Sequence, residues 1–229
     1  MTRNPTIRSL DTPPPSALTP ANPGVEASLA LAAESLTDPA SFERLRRFSP
    51  RMGRWIETLQ EADLESVRIL SRTAQGPVGR RCAIVISKLG NGWFYLFLAA
   101  LLFARWGWGG ARIVLLACVN AGVMHSLYPR LKRRYRRRRP FRVDPELSSL
   151  LATLDEHSFP SGHAMTLSAV LAPIVMLWPA MAVPGAMMWL SLAWSRVATA
   201  HHYPSDVLAG ALLGLGLGYP VSAGILSLW

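Results

Sequence analysis

Residues 111–140 read ARIVLLACVNAGVMHSLYPRLKRRYRRRRP, an apolar run that ends against eight basic residues among the ten from Arg130 to Arg139. The part from Ala111 to Tyr128 is long enough to span a bilayer as a helix, since about 20 apolar residues cover roughly 30 Å of hydrocarbon. Positive charge packed against such a segment has four readings: a nucleic-acid patch, a topology signal, an anchor for lipid headgroups, or the lining of an anion site.

Working outward, similar runs recur. The chain has 229 residues, 50% of them hydrophobic, with a formal net charge of +10 and a mean hydropathy of +0.22. Five segments have spanning length: 82–106, interrupted by Lys88 and a Gly-Asn-Gly turn signal, then 111–128, 162–178, 183–200 and 207–229. Tryptophans 93, 106, 108, 178 and 229 fall near the ends of these runs, as interfacial belts require. Gly210, Gly214 and Gly218 form a small-residue series that permits close helix contact. The expected fold is all-α, a polytopic transmembrane helical bundle of five spans, with six as the alternative count.

Ahead of this unit, residues 1–40 hold seven prolines, and such a composition buries too little apolar area to offset its ordering entropy, so a disordered arm is expected. Over 41–80, Leu45, Phe48, Met52, Trp55 and Leu59 recur at helical spacing, which predicts an amphipathic interfacial helix, broken at Pro50. The membrane unit is then 81–229. No apolar stretch follows a basic start in the first residues, so no cleavable signal is expected. Cys82 and Cys118 lie in apolar segments and are read as packing residues.

With five spans, the loops 128–161 and 201–206 share one side with the N-terminal arm. That side carries nearly all the arginines, so the positive-inside bias makes it cytoplasmic.

Three segments at helix ends fall on this shared side: Lys132–Pro140, Pro160–His163 and Ser195–Asp206. Ser161 and Gly162 open a helix whose first N–H groups suit an anion, although Pro-Ser-Gly also fits an ordinary turn and cap. Asp206 can accept the Nδ1 proton of His202 and leave Nε2 free to attack phosphorus, although an N-cap beside an interfacial histidine has the same pattern. His163 is the available acid for a leaving oxygen. Lys132, Arg139 and Arg196 would spread over phosphate oxygens. Lys132 and Arg139 are seven apart, about two helical turns, so both are read as facing one way.

These segments resemble, without a mismatch, the signature of the type 2 phosphatidic acid phosphatase superfamily: K-x6-R-P at Lys132 and Arg139-Pro140, P-S-G-H at 160–163, and S-R-x5-H-x3-D at Ser195-Arg196, His202 and Asp206. The resemblance covers about residues 85–225. It implies a helical bundle, a phosphohistidine on His202, protonation of the leaving group by His163, support of His202 by Asp206, and phosphate binding by Lys132, Arg139, Ser161, Gly162, His163 and Arg196. It also implies that no metal or cofactor is required. Many relatives have six spans, and one extra span before the motifs would reverse which side the N-terminus shares.

The remaining arginines of the run, Arg133, Arg134, Arg136, Arg137 and Arg138, have no place in the signature and are read as holding the loop at an anionic surface or fixing orientation. His125 is read as a satisfied core histidine, His157 with Asp155 and Glu156 as a solvated loop, with the lining of the entrance to the site as the alternative, Lys88 as a cation snorkelling to the interface, and His201 as lying outside the matched positions. No HExxH motif, cysteine cluster or acidic run appears, so no metal site is expected. The reading that follows is a lipid phosphatase in a bacterial inner membrane, with a lipid phosphate as substrate, the bilayer as its setting and no nucleic-acid partner. A vanadate-dependent haloperoxidase-like enzyme and a non-enzymatic basic membrane-surface binder are the alternatives.

Overall fold

A computed structural model describes residues 39–228, apart from Leu154. The Pro-rich arm expected over 1–40 therefore lies almost wholly outside the described residues. Among the described residues there is no strand, only an isolated bridge between Arg138 and His157. The helices are α1 (Pro39–Phe48), α2 (Pro50–Arg72), α3 (Pro77–Leu89), α4 (Trp93–Tyr135), α5 (Pro140–Val143), α6 (Gly162–Leu177), α7 (Ala182–Ala198) and α8 (Pro204–Leu226). Proline opens α2, α3, α5 and α8 at the first helical position, where its missing N–H costs nothing.

α4 is not one rod. Gly107 has φ 54° and ψ −129°, a conformation open to glycine, and the chain reverses there. A Cβ added to Gly110 would lie 2.1 Å from the Leu102 carbonyl oxygen. Eight residues of straight helix would separate these positions by about 12 Å. Leu102, before the reversal, shares one core cluster with Ile113 and Ala117, after it, and with Val170 and Ile174 of α6. Trp106 stacks on Trp178 at 4.2 Å, pinning the reversed end of α4 to the far end of α6.

The expected span 82–106 is thus corrected. Residues 82–89 belong to α3, the Gly-Asn-Gly turn breaks the helix, and the long apolar rod begins at Trp93. By length and hydropathy two helices qualify as membrane spans, Trp93–Tyr135 and Pro204–Leu226, and Gly162–Leu177 is a shorter apolar helix. The two limbs of α4, with α6, α7 and α8, make five rods running alternately away from and back to one end of the bundle. Their outer faces are apolar: Trp93, Leu96, Phe97, Leu190, Leu212 and Leu215 are all exposed. Cys82 and Cys118 also lie on exposed faces, which corrects their reading as packed residues.

α8 lies against α6 through its glycines. A Cβ at Gly210 would be 2.5 Å from the Ser161 carbonyl oxygen, and one at Gly214 would be 2.2 Å from that of Met165. Only glycine permits this approach, which sets the start of α6 beside the start of α8. Asn120 ties the returning limb of α4 into the same contact, donating to the Ala169 carbonyl at 2.9 Å and to Ser222 Oγ at 2.9 Å.

On α2 the apolar stripe and the packing face are different. Gly53, Ile56, Asp63 and Val67 are buried, while Trp55 and Leu59 point outward. The apolar stripe seen in the sequence is the outer one, and the packing face is displaced around the helix. The side chains of Leu45 and Phe48 lie outside the described set.

Candidate active site

A cavity of about 630 Å³ opens at the end of the bundle where α4 returns and α6 and α8 begin, and its walls include Lys132, Arg139, Gly162, His163, Arg196 and His202. Ser161 and Asp206 stand just behind that wall, both fully buried. The structure therefore brings together all eight residues singled out from the sequence. Lys132 and Arg139 are 6% and 2% exposed, so they are not part of a solvated charge run.

Their convergence is achieved differently from the two helical turns expected. α4 ends at Tyr135, and Arg136 turns the chain with φ 51°. Arg139 then caps α5, and it meets Lys132 through this turn rather than along one helix face. Both cations hold Asp155: Lys132 Nζ donates to Oδ2 at 2.7 Å and Arg139 donates through Nη2 to Oδ1 at 2.7 Å. Burial works to raise the Asp155 carboxyl, but the Lys132 and Arg139 partners outweigh it and keep the group below the usual carboxylate range. Asp155 thus belongs to the site, not to a solvated loop. Its neighbours part from it: Glu156 and His157 line a separate cavity of about 350 Å³ with Arg136, Arg138 and Arg142.

His202 lies in the short connection between α7 and α8. Ala200, at φ 57°, turns the chain out of α7, a backbone form that costs a non-glycine residue about 1 kcal/mol. The His202 N–H donates to the Arg196 carbonyl at 3.2 Å. Its Nδ1 faces Asp206 Oδ2 at 3.6 Å, too far for a hydrogen bond. That same Oδ2 accepts the Tyr203 N–H at 2.9 Å, closing a capping box at the start of α8. Burial, then the charges of Arg196, Arg139 and Lys132, push the His202 imidazole well below its ordinary value. It is neutral, with a lone pair for chemistry.

Arg196 donates to Ser87 Oγ of α3 and, through Nη2, to His201 Nδ1 at 3.0 Å. His201 is therefore neutral with its proton on Nε2, which meets Ser149 Oγ at 2.8 Å and the Leu151 carbonyl at 3.1 Å. Burial and Arg196 hold it at about 3. His163, on the first turn of α6, meets Asn91 Oδ1 through Nε2 at 2.6 Å. The Gly-Asn-Gly turn that interrupts the first apolar run is thus part of the site, and a Cβ at Gly90 would press to 2.9 Å from the His163 ring.

Ser161 behaves only partly as expected. Its N–H is taken by the Asp206 carbonyl at 3.0 Å, leaving the later N–H groups of the first turn to face a ligand. Among the described residues four buried side-chain polar atoms lack a hydrogen-bond partner, and three are here: Ser161 Oγ, Arg196 Nε and His202 Nδ1. Unpartnered buried polar atoms cost about 1–3 kcal/mol each; His202 Nδ1 faces Asp206, which leaves Ser161 Oγ and Arg196 Nε as groups that suit a polar ligand.

Two further readings are corrected. His125 is exposed, with Nδ1 on the Ala121 carbonyl at 2.9 Å, and it lines the cavity rather than the core. Arg137 is buried and ion-paired to Asp206 and Asp63 at 2.7 Å each, so it does not serve an anionic surface. Lys88 also lines the cavity.

The family profile described as PAP2 superfamily matches residues 109–226. The chain belongs to the PAP2 superfamily. Among curated PAP2 relatives, it is 33% identical over 129 residues to a decaprenylphosphoryl-5-phosphoribose phosphatase of Mycobacterium tuberculosis, covering 56% of this chain and 68% of that protein. It is 34% identical over 111 residues to a lipid A 1-phosphatase of Rhizobium johnstonii, covering 47% of this chain and 44% of that protein. The match therefore spans less than half the length of the Rhizobium relative. Among solved structures, a transmembrane PAP2-type phosphatidylglycerolphosphate phosphatase from Bacillus subtilis shares the fold, with a TM-score of 0.59 at 23% identity, over 89% of this chain and 94% of that one.

Proposed function

We propose that this protein is an integral-membrane phosphatase that hydrolyses a lipid phosphomonoester or pyrophosphate through a phosphohistidine on His202. The observation that carries the reading is the meeting of Lys132, Arg139, His163, Arg196 and His202 around one cavity, with Asp206 behind His202. Exposed apolar side chains on the outer faces of the rods support a bilayer setting. They also weigh against a haloperoxidase-like enzyme, whose relatives are soluble. Burial of Lys132 and Arg139 weighs against a surface binder that acts through charge alone.

In this reading the phosphate enters among Lys132, Arg139 and Arg196, displacing the Asp155 carboxylate, and Ser161 Oγ and the first turn of α6 complete its ligation. His202 Nε2 bonds to phosphorus as the P–O bond to the lipid breaks. His163, which in this reading takes up a proton alongside the bound phosphate anion, gives that proton to the leaving oxygen. As Nε2 bonds, the imidazole becomes cationic and Nδ1–H closes on Asp206, since catalytic contacts tighten in the complex. Water then attacks phosphorus, its proton passes to His163, the N–P bond breaks, and inorganic phosphate leaves. The positive charge that stabilises the transferring group comes from side chains, so the reaction is proposed to proceed without a metal.

The substrate class follows from the setting. A cavity at the end of a bundle with apolar flanks admits a headgroup while its acyl or polyprenyl chain stays in lipid. Polyprenyl phosphates and diphosphates, sugar-phosphate polyprenyl lipids, phosphatidic acid, phosphatidylglycerophosphate and lipid A phosphates are the candidates. The cavity end also carries the basic run, which supports a cytoplasmic active site.

Phosphate release from a panel of these lipids by purified protein in detergent, with chelator present, tests the reading. Release from at least one of them is expected. No release from any, with the protein folded, would reject the activity. Labelling of a cysteine introduced beside Asp155 in intact cells tests the side: labelling by an impermeant reagent would overturn the cytoplasmic assignment.

A further inference from the structure

We infer that Arg137, held by Asp63 of α2, is a positioning residue that keeps the Asp206 carboxylate charged and aimed at His202. The inference rests on the reading of His202 as nucleophile. Arg137 has no place in the K-x6-R-P spacing and does not line the cavity. Its side chain is nonetheless 8% exposed and fully engaged. Nη1 donates to Asp206 Oδ1 and to Ser205 Oγ, each at 2.7 Å, and Nη2 donates to Asp63 Oδ2 at 2.7 Å. The guanidinium carbon lies 3.8 Å from the centre of the Tyr203 ring, a stacked cation–π contact. Asp63 in turn accepts the Ser205 N–H at 3.0 Å and the Ser205 hydroxyl. A residue of α2 thereby satisfies an orphan donor at the start of α8, in the first turn that carries Asp206.

The charges explain why such a device is useful. Asp206 is fully buried, and a carboxylate without a partner there would take up a proton and lose its power to accept Nδ1–H. Arg137, together with the Tyr203 N–H, opposes this. The cluster of Asp63, Arg137 and Asp206 still carries one net negative charge, and the group facing it is His202. When Nε2 bonds to phosphorus the imidazole turns positive, and this surplus charge stabilises it. The fork geometry of arginine is needed, because one guanidinium must meet carboxylates from α2 and α8 at once. The outer face of α2 carries exposed Trp55, Leu59 and Ile69, so the helix that holds Arg137 is also one with an apolar face toward its surroundings.

The two carboxylates give the test opposite signs. Arg137→Gln removes the cation and leaves Asp63 and Asp206 to compete for a proton. Its kcat should fall about 10- to 100-fold, the usual scale for losing a supporting partner, and the acid limb of its kcat/KM profile should move to higher pH. Asp63→Asn leaves the whole charge of Arg137 on Asp206, so its acid limb should move to lower pH with a smaller loss. Arg137→Lys should recover part of the lost rate. KM for the lipid phosphate should stay within about twofold in all three, since neither residue lines the cavity.

A merely structural role would scale activity by the same factor at every pH, and lysine would restore nothing. That result, or an Arg137→Gln enzyme with more than half the wild-type kcat, would overturn the inference. If Arg137→Gln does not fold, Asp63→Asn and Arg137→Lys decide it: unmoved acid limbs in both reject it. Trapping of a phosphoenzyme on wild-type protein in the same series keeps the two readings apart. Absence of the adduct would reject His202 as nucleophile, whereas its presence with unshifted variants rejects Arg137 alone.

Discussion

One oxygen of the Asp155 carboxylate lies 2.7 Å from Lys132 Nζ, and its other oxygen meets Arg139 at the same distance. A carboxylate therefore stands where a phosphate would be expected to bind, held by two of the cations that the motif spacing selects. The anion site is preassembled, and its occupant is part of the protein.

Because Asp155 competes for these cations, Asp155→Asn should tighten the site. Inhibition by inorganic phosphate should strengthen about tenfold, a change of about 1.4 kcal/mol, and KM for the lipid should fall in step. Inhibition constants for the two proteins check this. Weaker inhibition in the variant would mean that Asp155 helps to bind phosphate.

Within the basic run, position should matter more than charge. Lys132→Ala should lower kcat/KM by about 10² to 10³, the range for removing a donor to a developing negative charge. Arg133→Ala, at an exposed position, should stay within about twofold. Equal losses would show that the run acts through net charge.

The acid side of the pH range should destabilise the fold. His201 and His202 are buried and neutral, with His201 at about 3 and His202 well below its ordinary value. The unfolded chain takes up protons at both below about pH 6.5, and the native state does not until much lower. Stability from these groups is thus complete above about pH 6.5 and is lost as pH falls toward 3, at up to about 1.4 kcal/mol per unit for each. Tm in detergent should fall between pH 7 and pH 5, and His201→Asn should flatten that slope. A slope unchanged by His201→Asn would contradict the burial of a neutral imidazole there.

The α6–α8 contact should tolerate no side chain. In Gly214→Ala the new methyl would meet the Met165 carbonyl oxygen at 2.2 Å, and overpacking of this kind costs about 1–3 kcal/mol. Gly216→Ala, with open space around it, should be neutral or slightly stabilising. Thermal unfolding of both variants gives the comparison.

Much of the site was readable because its spacing is local. K-x6-R-P, P-S-G-H and the Ser195–Asp206 segment each sit at one helix end, and the glycine series of α8 permits the close helix contact that brings two of those ends together. The reversal at Gly107 was visible as a loop between two apolar runs. Asn91, Asp63 and Arg137 were missed, and Asp155 was placed no nearer than the entrance, for a common reason. Each acquires its role from a partner on another element, and local periodicity carries no information on which loop folds into a cavity or which face of α2 docks. The outward stripe of Trp55 and Leu59 says nothing of which face of α2 docks because, on a chain with apolar outer surfaces, hydrophobicity no longer marks the inside. The same reversal exposes Cys82 and Cys118. The Gly-Asn-Gly turn carried the best unused signal, since a break in an apolar run is affordable mainly where it lines a cavity.

The central claim is that His202 carries the phosphoryl group. Rapid quenching of the enzyme with a lipid bearing a radiolabelled phosphate tests it most directly, with His202→Ala in parallel and chelator present. The account predicts a base-stable, acid-labile phosphoenzyme on the wild-type protein and neither adduct nor turnover in the variant. Undiminished phosphate release by His202→Ala would contradict it.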